Sequence, residues 1–327
     1  MQAMNLYDQQ RSNRRKTWLI MIAFVAFLFV LGAGFDAFFI NAGGGFPIGS
    51  LAALGLGSVS AAASYFGGDR AVLLASHARP IADVIATATG DDLLKLRQLD
   101  NVVDEMAIAA GLPRPPVYVV PDPDPNAFAT GRGPGRASIA VTRGLLDALD
   151  REQLQGVVAH EMSHIRNYDV RMMTVVAALV GAIALLSDWA RRGMWWGGGR
   201  RRDRDDRGGG AAGAIFFVVW LAAIIIAPVL AQILAMMVSR RREYLADASG
   251  AELTRNPLGL ASALEKIDAA VEPTRAINSG TAHLCIADPL GRQVNVASGG
   301  WSNLFASHPP MAARIAALQA MAYQGAH

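Results

Sequence analysis

Four stretches of the chain are apolar without a charged residue: Trp18 to Phe35, Phe46 to Gly68, Met172 to Ser187, and about Ala211 to Val238. A bilayer core of about 30 Å takes roughly 20 helical residues. The first, second and fourth are long enough to cross; the third is the shortest and reads either as a span or as a buried helix. The first stays apolar past the usual signal-peptide length, to Phe39 and Ile40, with no small-residue pattern closing it, so it reads as a signal anchor. The second is rich in Gly, Ala and Ser, which let membrane helices approach closely. The short link between them predicts a hairpin.

Between and after these stretches the pattern becomes that of a folded domain. Asp91 to Ala110 alternates apolar and polar residues with helical period, and Gly111-Leu-Pro is a helix stop. Val117 to Val120 reads as a strand, Pro121-Asp-Pro-Asp-Pro as a rigid turn, and Ala127-Phe-Ala-Thr and Ala137 to Thr142 as strands flanking the hairpin signal Gly131-Arg-Gly-Pro-Gly. Asp150, with Gln153 three residues on, predicts a capped helix running to about Asn167. A last helix is expected over Pro310 to Tyr323. The chain therefore divides into a basic tail and membrane hairpin (1–68), the front half of a folded working domain (69–171), a second membrane hairpin (172–238) and the back half of that domain (239–327). The fold class is α+β, a small sheet and helices interrupted by about four spans.

Composition agrees: 52% of residues are hydrophobic and 17% charged, against about 25% charged in soluble domains. The net charge is +3. Arginines cluster beside apolar runs instead of forming a stripe with interleaved aromatics, which points to membrane flanks and excludes nucleic acid as the expected partner. Arg11, Arg14, Arg15 and Lys16 precede the first span and Arg240, Arg241 and Arg242 follow the fourth, placing both ends in the cytoplasm by the positive-inside rule. Against this stand Arg191, Arg192, Arg200, Arg201, Arg202, Arg204 and Arg207 between spans three and four, within or beside a low-complexity loop, Gly197 to Gly210. Trp195 and Trp196 suit interfacial anchors. The single cysteine, Cys285, precludes an internal disulfide and reads as a small buried hydrophobe.

The chemistry centres on His160-Glu-Met-Ser-His164. Imidazoles at i and i+4 of a helix share a face and can reach one Zn²⁺ at about 2.0 to 2.1 Å, with Glu161 beside the open position. There a carboxylate can take a proton from water and pass it to the leaving amine while the metal polarises the scissile carbonyl, hydrolysing a peptide without a covalent intermediate. A third His six residues after His164 is absent, since position 170 is Val. The third ligand must come from farther away. Glu243 and Asp247 share a helical face just after span four, and a membrane hairpin returns that point to the same side as Arg171. Glu243 is thus the expected third ligand, and Asp247 the carboxylate that fixes a histidine tautomer.

His160-Glu-Met-Ser-His164, Glu243-Tyr-Leu-Ala-Asp247 and Ser307-His-Pro-Pro310 followed by Arg314-Ile resemble the HtpX-type membrane metalloproteases, bacterial relatives of the prenyl-protein endopeptidases. The similarity covers nearly the whole chain. It implies a zincin-like fold, one zinc per chain held by His160, His164 and Glu243, Glu161 as base, and Asp247 behind the ligands. It also implies a bacterial inner-membrane protein whose site faces the cytoplasm and cleaves misfolded or damaged membrane proteins, a quality-control and stress role; processing of the prenyl-motif type is the alternative. The loop from Gly197 to Gly210 departs from the pattern.

Weaker candidates are His308 and Arg314, either of which suits donation to the developing oxyanion, and the strand edge at Asn126, Ala127, Phe128 and Ala129, to which an extended substrate can add. His77 and His283 have no partner at ligand spacing. Two other classes compete with an enzyme. A silent zinc-binding scaffold is disfavoured by Glu161, and a metal transporter by the spans, in which only Asp36 is ionisable.

Overall fold

A computed structural model of the chain describes residues 6–36, 46–179, 240–270, 274–277, 281–287 and 309–324. Helix α1 covers Leu6–Phe35 and α2 Ile48–Ala75, and both are long and apolar enough to cross a membrane. The buried residues of α2 include Gly57, Ala61, Ser64 and Gly68, a seam of small side chains along which neighbouring helices approach. Large apolar residues point outward: Ile22 is 61% exposed, Val59 68% and Phe66 65%. A belt of this kind around two helices suits lipid and not the core of a soluble domain. At the tip of the hairpin, Asp36 accepts hydrogen bonds from the backbone N–H groups of Gly49 and Ser50, both at 2.6 Å, and from Ser50 Oγ at 2.5 Å, capping α2. The one ionisable residue of the spans is therefore structural.

Helix α1 begins well before the apolar run at Trp18, so its basic, polar start is one rigid piece with the span. The described part of the third apolar stretch, 172–179, is helical and continuous with residues 169–171. The rest of that stretch, the fourth span, Trp195, Trp196 and the Gly197–Gly210 loop lie outside the described residues.

The domain is built on a four-stranded sheet: β1 (Arg79–Pro80), β2 (Val117–Val120), β3 (Ala127–Gly131) and β4 (Ala137–Thr142), in the order β1-β2-β4-β3. β2 and β4 run parallel, and β3 pairs antiparallel with β4 as the hairpin signal predicted, Ala129 opposite Ile139. Side chains alternate along each strand. Val117, Val119, Ala127, Ala129, Ile139 and Val141 face a main core, while Val120, Phe128 and Ala140 face a smaller one with Val72, Met173 and Ala177. The sheet is thus covered on both sides, the second cover being the foot of α2 and helix 169–179.

The helices of the domain are α3 (Ile81–Ile85), α4 (Gly90–Ala110), α5 (Arg143–Ala148), α6 (Arg151–Arg166), α7 (Arg240–Thr254), α8 (Pro257–Asp268) and α9 (Met311–Gln324). α4 ends on Gly111 in the left-handed conformation, φ 64°, which a glycine adopts without the clash a Cβ brings. Its stripe of Leu96, Leu99, Val102, Val103 and Met106 packs into the main core with Leu154, Val157 and Val158 of α6 and Leu260 and Leu264 of α8. Each such side chain stabilises the fold by about 1.5 to 3 kcal/mol. Where α6 crosses α8, a Cβ on Gly156 would lie 2.8 Å from the Cα of Leu260, so only glycine permits this approach.

Candidate metal centre

The site is carried by α6, whose start is set locally. Asp150 accepts from the N–H of Gln153 and the Gln153 side chain accepts from the N–H of Asp150, a complete capping box. The sequence pattern predicts the capped helix but not how deeply it is buried. In the fold α6 is the central rod of the domain, buried from Gly156 through Ile165, because the sheet, α4, α7 and α8 surround it. Its histidines and glutamate are consequently held in the interior.

His160 and His164 turn their Nε2 atoms towards each other, 3.2 Å apart. Glu243, in the first turn of α7, places Oε2 3.6 Å from His160 Nε2 and Oε1 3.6 Å from His164 Nε2. Among the described residues these three form a group able to hold a metal ion. The other ring nitrogens face carboxylates: His160 Nδ1 lies 2.9 Å from Asp247 Oδ1, and His164 Nδ1 lies 3.3 Å from Asp169 Oδ2. Protons on both Nδ1 atoms match those partners and leave both Nε2 atoms as lone-pair donors. With both imidazoles neutral, two lone pairs and a carboxylate converge in a buried space, a donor set that suits a divalent cation. Ligands at about 2.0 to 2.1 Å in a tetrahedron stand roughly 3.4 Å apart. The observed spacings fit.

Arg314, read from sequence as a candidate oxyanion donor, is committed elsewhere. It is fully buried, with Nε 2.8 Å and Nη2 2.7 Å from the two oxygens of Asp247, and Nη1 donating to the carbonyl of Ile286 at 2.6 Å. Nη1 also lies 3.4 Å from Glu243 Oε2. It acts through Asp247, as a brace for His160. Burial pushes the Asp247 carboxyl up, but Arg314 and His160 outweigh this and hold it at about 2. For His160, burial favours the neutral ring, yet Asp247 and Glu243 raise it to about 9 in the metal-free site.

Glu161 is buried beside the pair. Burial raises its pKa, the adjoining histidines draw it back, and the backbone N–H of Ala129 on β3 favours its charged form. A carboxyl raised from its ordinary value is suited to accept a proton. The strand edge expected at Asn126 to Ala129 is largely covered by the chain itself. Ile286 N–H donates to Ala127 O at 2.9 Å, Phe128 pairs with Cys285, and Asn126 Nδ2 donates to Ala287 O at 3.0 Å. Ala129 is the residue of the four whose backbone faces Glu161. His308 lies outside the described residues, as does the side chain of His283; His77 is exposed and Cys285 buried.

Sequence reasoning missed Asp169 and Asn13. After α6 the chain turns through Tyr168 in the left-handed region, φ 59°, and brings Asp169 back under His164. Asn13 of α1 donates to Asp169 Oδ1 at 2.6 Å and to the carbonyl of Asn167 at 3.0 Å, and Arg242 stands 3.7 Å from the same carboxylate. An acidic residue five positions after the second histidine was a usable signal for Asp169. Nothing local marks Asn13.

A membrane-anchored helical hairpin joined to an α+β domain, with an HExxH helix closed by a distant glutamate, defines a membrane metalloprotease. Residues 94–322 match the model of peptidase family M48, and the chain belongs to that family. It is 44% identical over 317 residues to a "Protease HtpX homolog" of Caldanaerobacter subterraneus subsp. tengcongensis, covering 97% of this chain and 98% of that one. It is 43% identical over 319 residues to one from Lactiplantibacillus plantarum, covering 97% and 100%. Among solved structures, Ste24p of S. mikatae is similar with 18% identity and a TM-score of 0.46, over 93% of this chain and 66% of that chain.

Proposed function

We propose that the chain is a zinc-dependent endopeptidase of the HtpX kind that hydrolyses unfolded or damaged membrane polypeptides, with its site facing the cytoplasm of a bacterial inner membrane. The observation that carries the reading is the convergence of His160 Nε2, His164 Nε2 and a Glu243 oxygen beside Glu161. Zinc bound there would polarise the scissile carbonyl and make a water molecule acidic enough to ionise near neutral pH. Glu161 accepts that proton and delivers it to the leaving amine. Asp247 and Asp169 keep both histidines in the tautomer that presents Nε2, and Arg314 keeps Asp247 ionised. Of the four edge residues Asn126 to Ala129, residues 285–287 cover the first three, so a main-chain contact beside Ala129 would orient an extended substrate next to Glu161 without reading its side chains. That mode suits unfolded substrates of varied sequence. His308 is the remaining candidate for donation to the oxyanion.

The test uses the full chain in detergent. Wild type and Glu161→Gln are both expected to bind one zinc, and only wild type to cleave an unfolded protein; equal cleavage by the variant removes Glu161 from the mechanism. Glu243→Ala is expected to lose zinc, and full retention would reject it as the third ligand.

A further inference from the structure

Arginines and aromatic rings alternate along the foot of the membrane hairpin. The Arg132 guanidinium lies 5.1 Å from the centre of Phe66 and 5.6 Å from that of Tyr65. Arg171 lies 5.8 Å from Tyr65 and 5.0 Å from Tyr168, and Arg14 covers Tyr168 at 4.3 Å. Arg171 is fixed in place by donating from Nε to the carbonyl of Arg132 at 2.7 Å. These residues come from α1, α2, the β3–β4 turn and the segment after α6, so the fold gathers three cations that are distant in sequence. Among the described residues no carboxylate lies within ion-pair distance of any of the three. Like charges held around shared rings repel, and an anion between them removes the repulsion. The rings already have cations on them, which leaves no aromatic cage for a choline head group.

The same aromatic residues close one end of an apolar groove. Tyr65 and Phe66, with Trp18 stacked on Tyr65 at 5.8 Å, line a cavity of about 670 Å³ between α1 and α2, walled further by Ile22, Phe29 and Leu54. That volume is in the range of pockets that take a small ligand, roughly 300 to 1,000 Å³. The wall is apolar and continuous with the exposed face of the hairpin. A soluble phosphate has no use for such a groove. An uncharged lipid has no use for the arginines.

We propose that the groove and its arginine ladder form a binding site for an anionic glycerophospholipid, an acyl chain lying between α1 and α2 and the phosphate between Arg14, Arg132 and Arg171. Basic pockets beside membrane helices recognise acidic head groups in this way. The site is separate from the metal centre and depends on the hairpin lying in a bilayer.

The test supplies the purified full chain in detergent with equal amounts of phosphatidylglycerol and phosphatidylcholine of identical chains, and counts retained lipid by native mass spectrometry. Wild type is expected to favour phosphatidylglycerol at least about tenfold, and Arg132→Gln/Arg171→Gln to lose roughly fivefold for each arginine removed. Ala62→Phe, which fills the groove and spares the arginines, is expected to lose the lipid as well. Zinc content should stay unchanged in all of these and reports folding. Equal retention of the two lipids by wild type, or unaltered preference in both variants, overturns the proposal. Displacement by glycerol 1-phosphate would make this a phosphate site without a chain, and displacement by an apolar helical peptide would make the groove a docking place for substrate spans; either overturns it too. Release of the protein from membranes by alkaline carbonate would overturn the bilayer reading along with the lipid site, whereas retention with equal lipid binding overturns the lipid site alone.

Discussion

The two candidate metal-ligand histidines stand one helical turn apart on α6, yet the fold braces them from opposite sides. His160 is held by Asp247, and Asp247 by a fully buried Arg314 from the last helix, in a bidentate pair with both bonds under 3 Å. His164 is held by Asp169 at the longer distance of 3.3 Å, and Asp169 by Asn13 from the membrane helix and, more remotely, by Arg242 at 3.7 Å. The first brace is ionic and lies wholly inside the domain. The second is mostly a neutral amide and ties the site to the membrane anchor. A buried ion pair is costly to break because it strands a charge, whereas a lost amide bond costs less. Half of the site is therefore locked, and the other half is adjustable through the position of α1.

The largest expected effect is at the locked side. Arg314→Met leaves Asp247 without its strongest partner in a buried setting and should destabilise the protein by about 3 to 5 kcal/mol, seen as a large drop in Tm or failure to accumulate. A variant as stable as wild type would show that the pair is not a brace. Next comes pH. Zinc requires the neutral imidazole, and His160 is held up to about 9 in the metal-free protein, so zinc binding displaces a proton at every pH below that. Affinity should rise about tenfold per unit as pH climbs towards 9 and then flatten; competition with a chelator at several pH values measures it. In Asp247→Asn the rise should end at lower pH, since the main group raising His160 is gone.

Asp247→Asn and Asp169→Asn should each weaken zinc binding, by about ten- to hundredfold, the former more, because its carboxylate is nearer and better held. Equal losses would erase the contrast between the two sides. Asn13→Ala is the smallest, less than about tenfold, and should vanish in an Asp169→Asn background if Asn13 works through that carboxylate. A loss that persists there would assign Asn13 to packing alone.

Local rules made much of this legible. The capping box at Asp150, the i, i+4 histidines, the strand at Val117–Val120, the hairpin about Gly131-Arg-Gly-Pro-Gly and the stop at Gly111 each depend on residues within a few positions of one another. Glu243 was reachable from the expectation that the apolar stretches of 172–238 form a membrane hairpin, which would return the chain to the side it left. The free strand edge and the oxyanion role of Arg314 were not, since both depend on what packs against them: residues 285–287 cover Asn126 to Phe128, and Asp247 takes up the Arg314 donors.

By itself, then, the sequence determined the HExxH helix, the residue types of the candidate metal group and the presence of apolar stretches, because helical period, caps and hydropathy are short-range. Only the tertiary structure decided which carboxylate serves which histidine. Asn13 and Asp169 are 156 positions apart and Asp247 and Arg314 are 67 apart, separations over which no periodicity survives. Such pairs form because a buried polar group has to find a partner wherever the packing of apolar faces leaves one within reach.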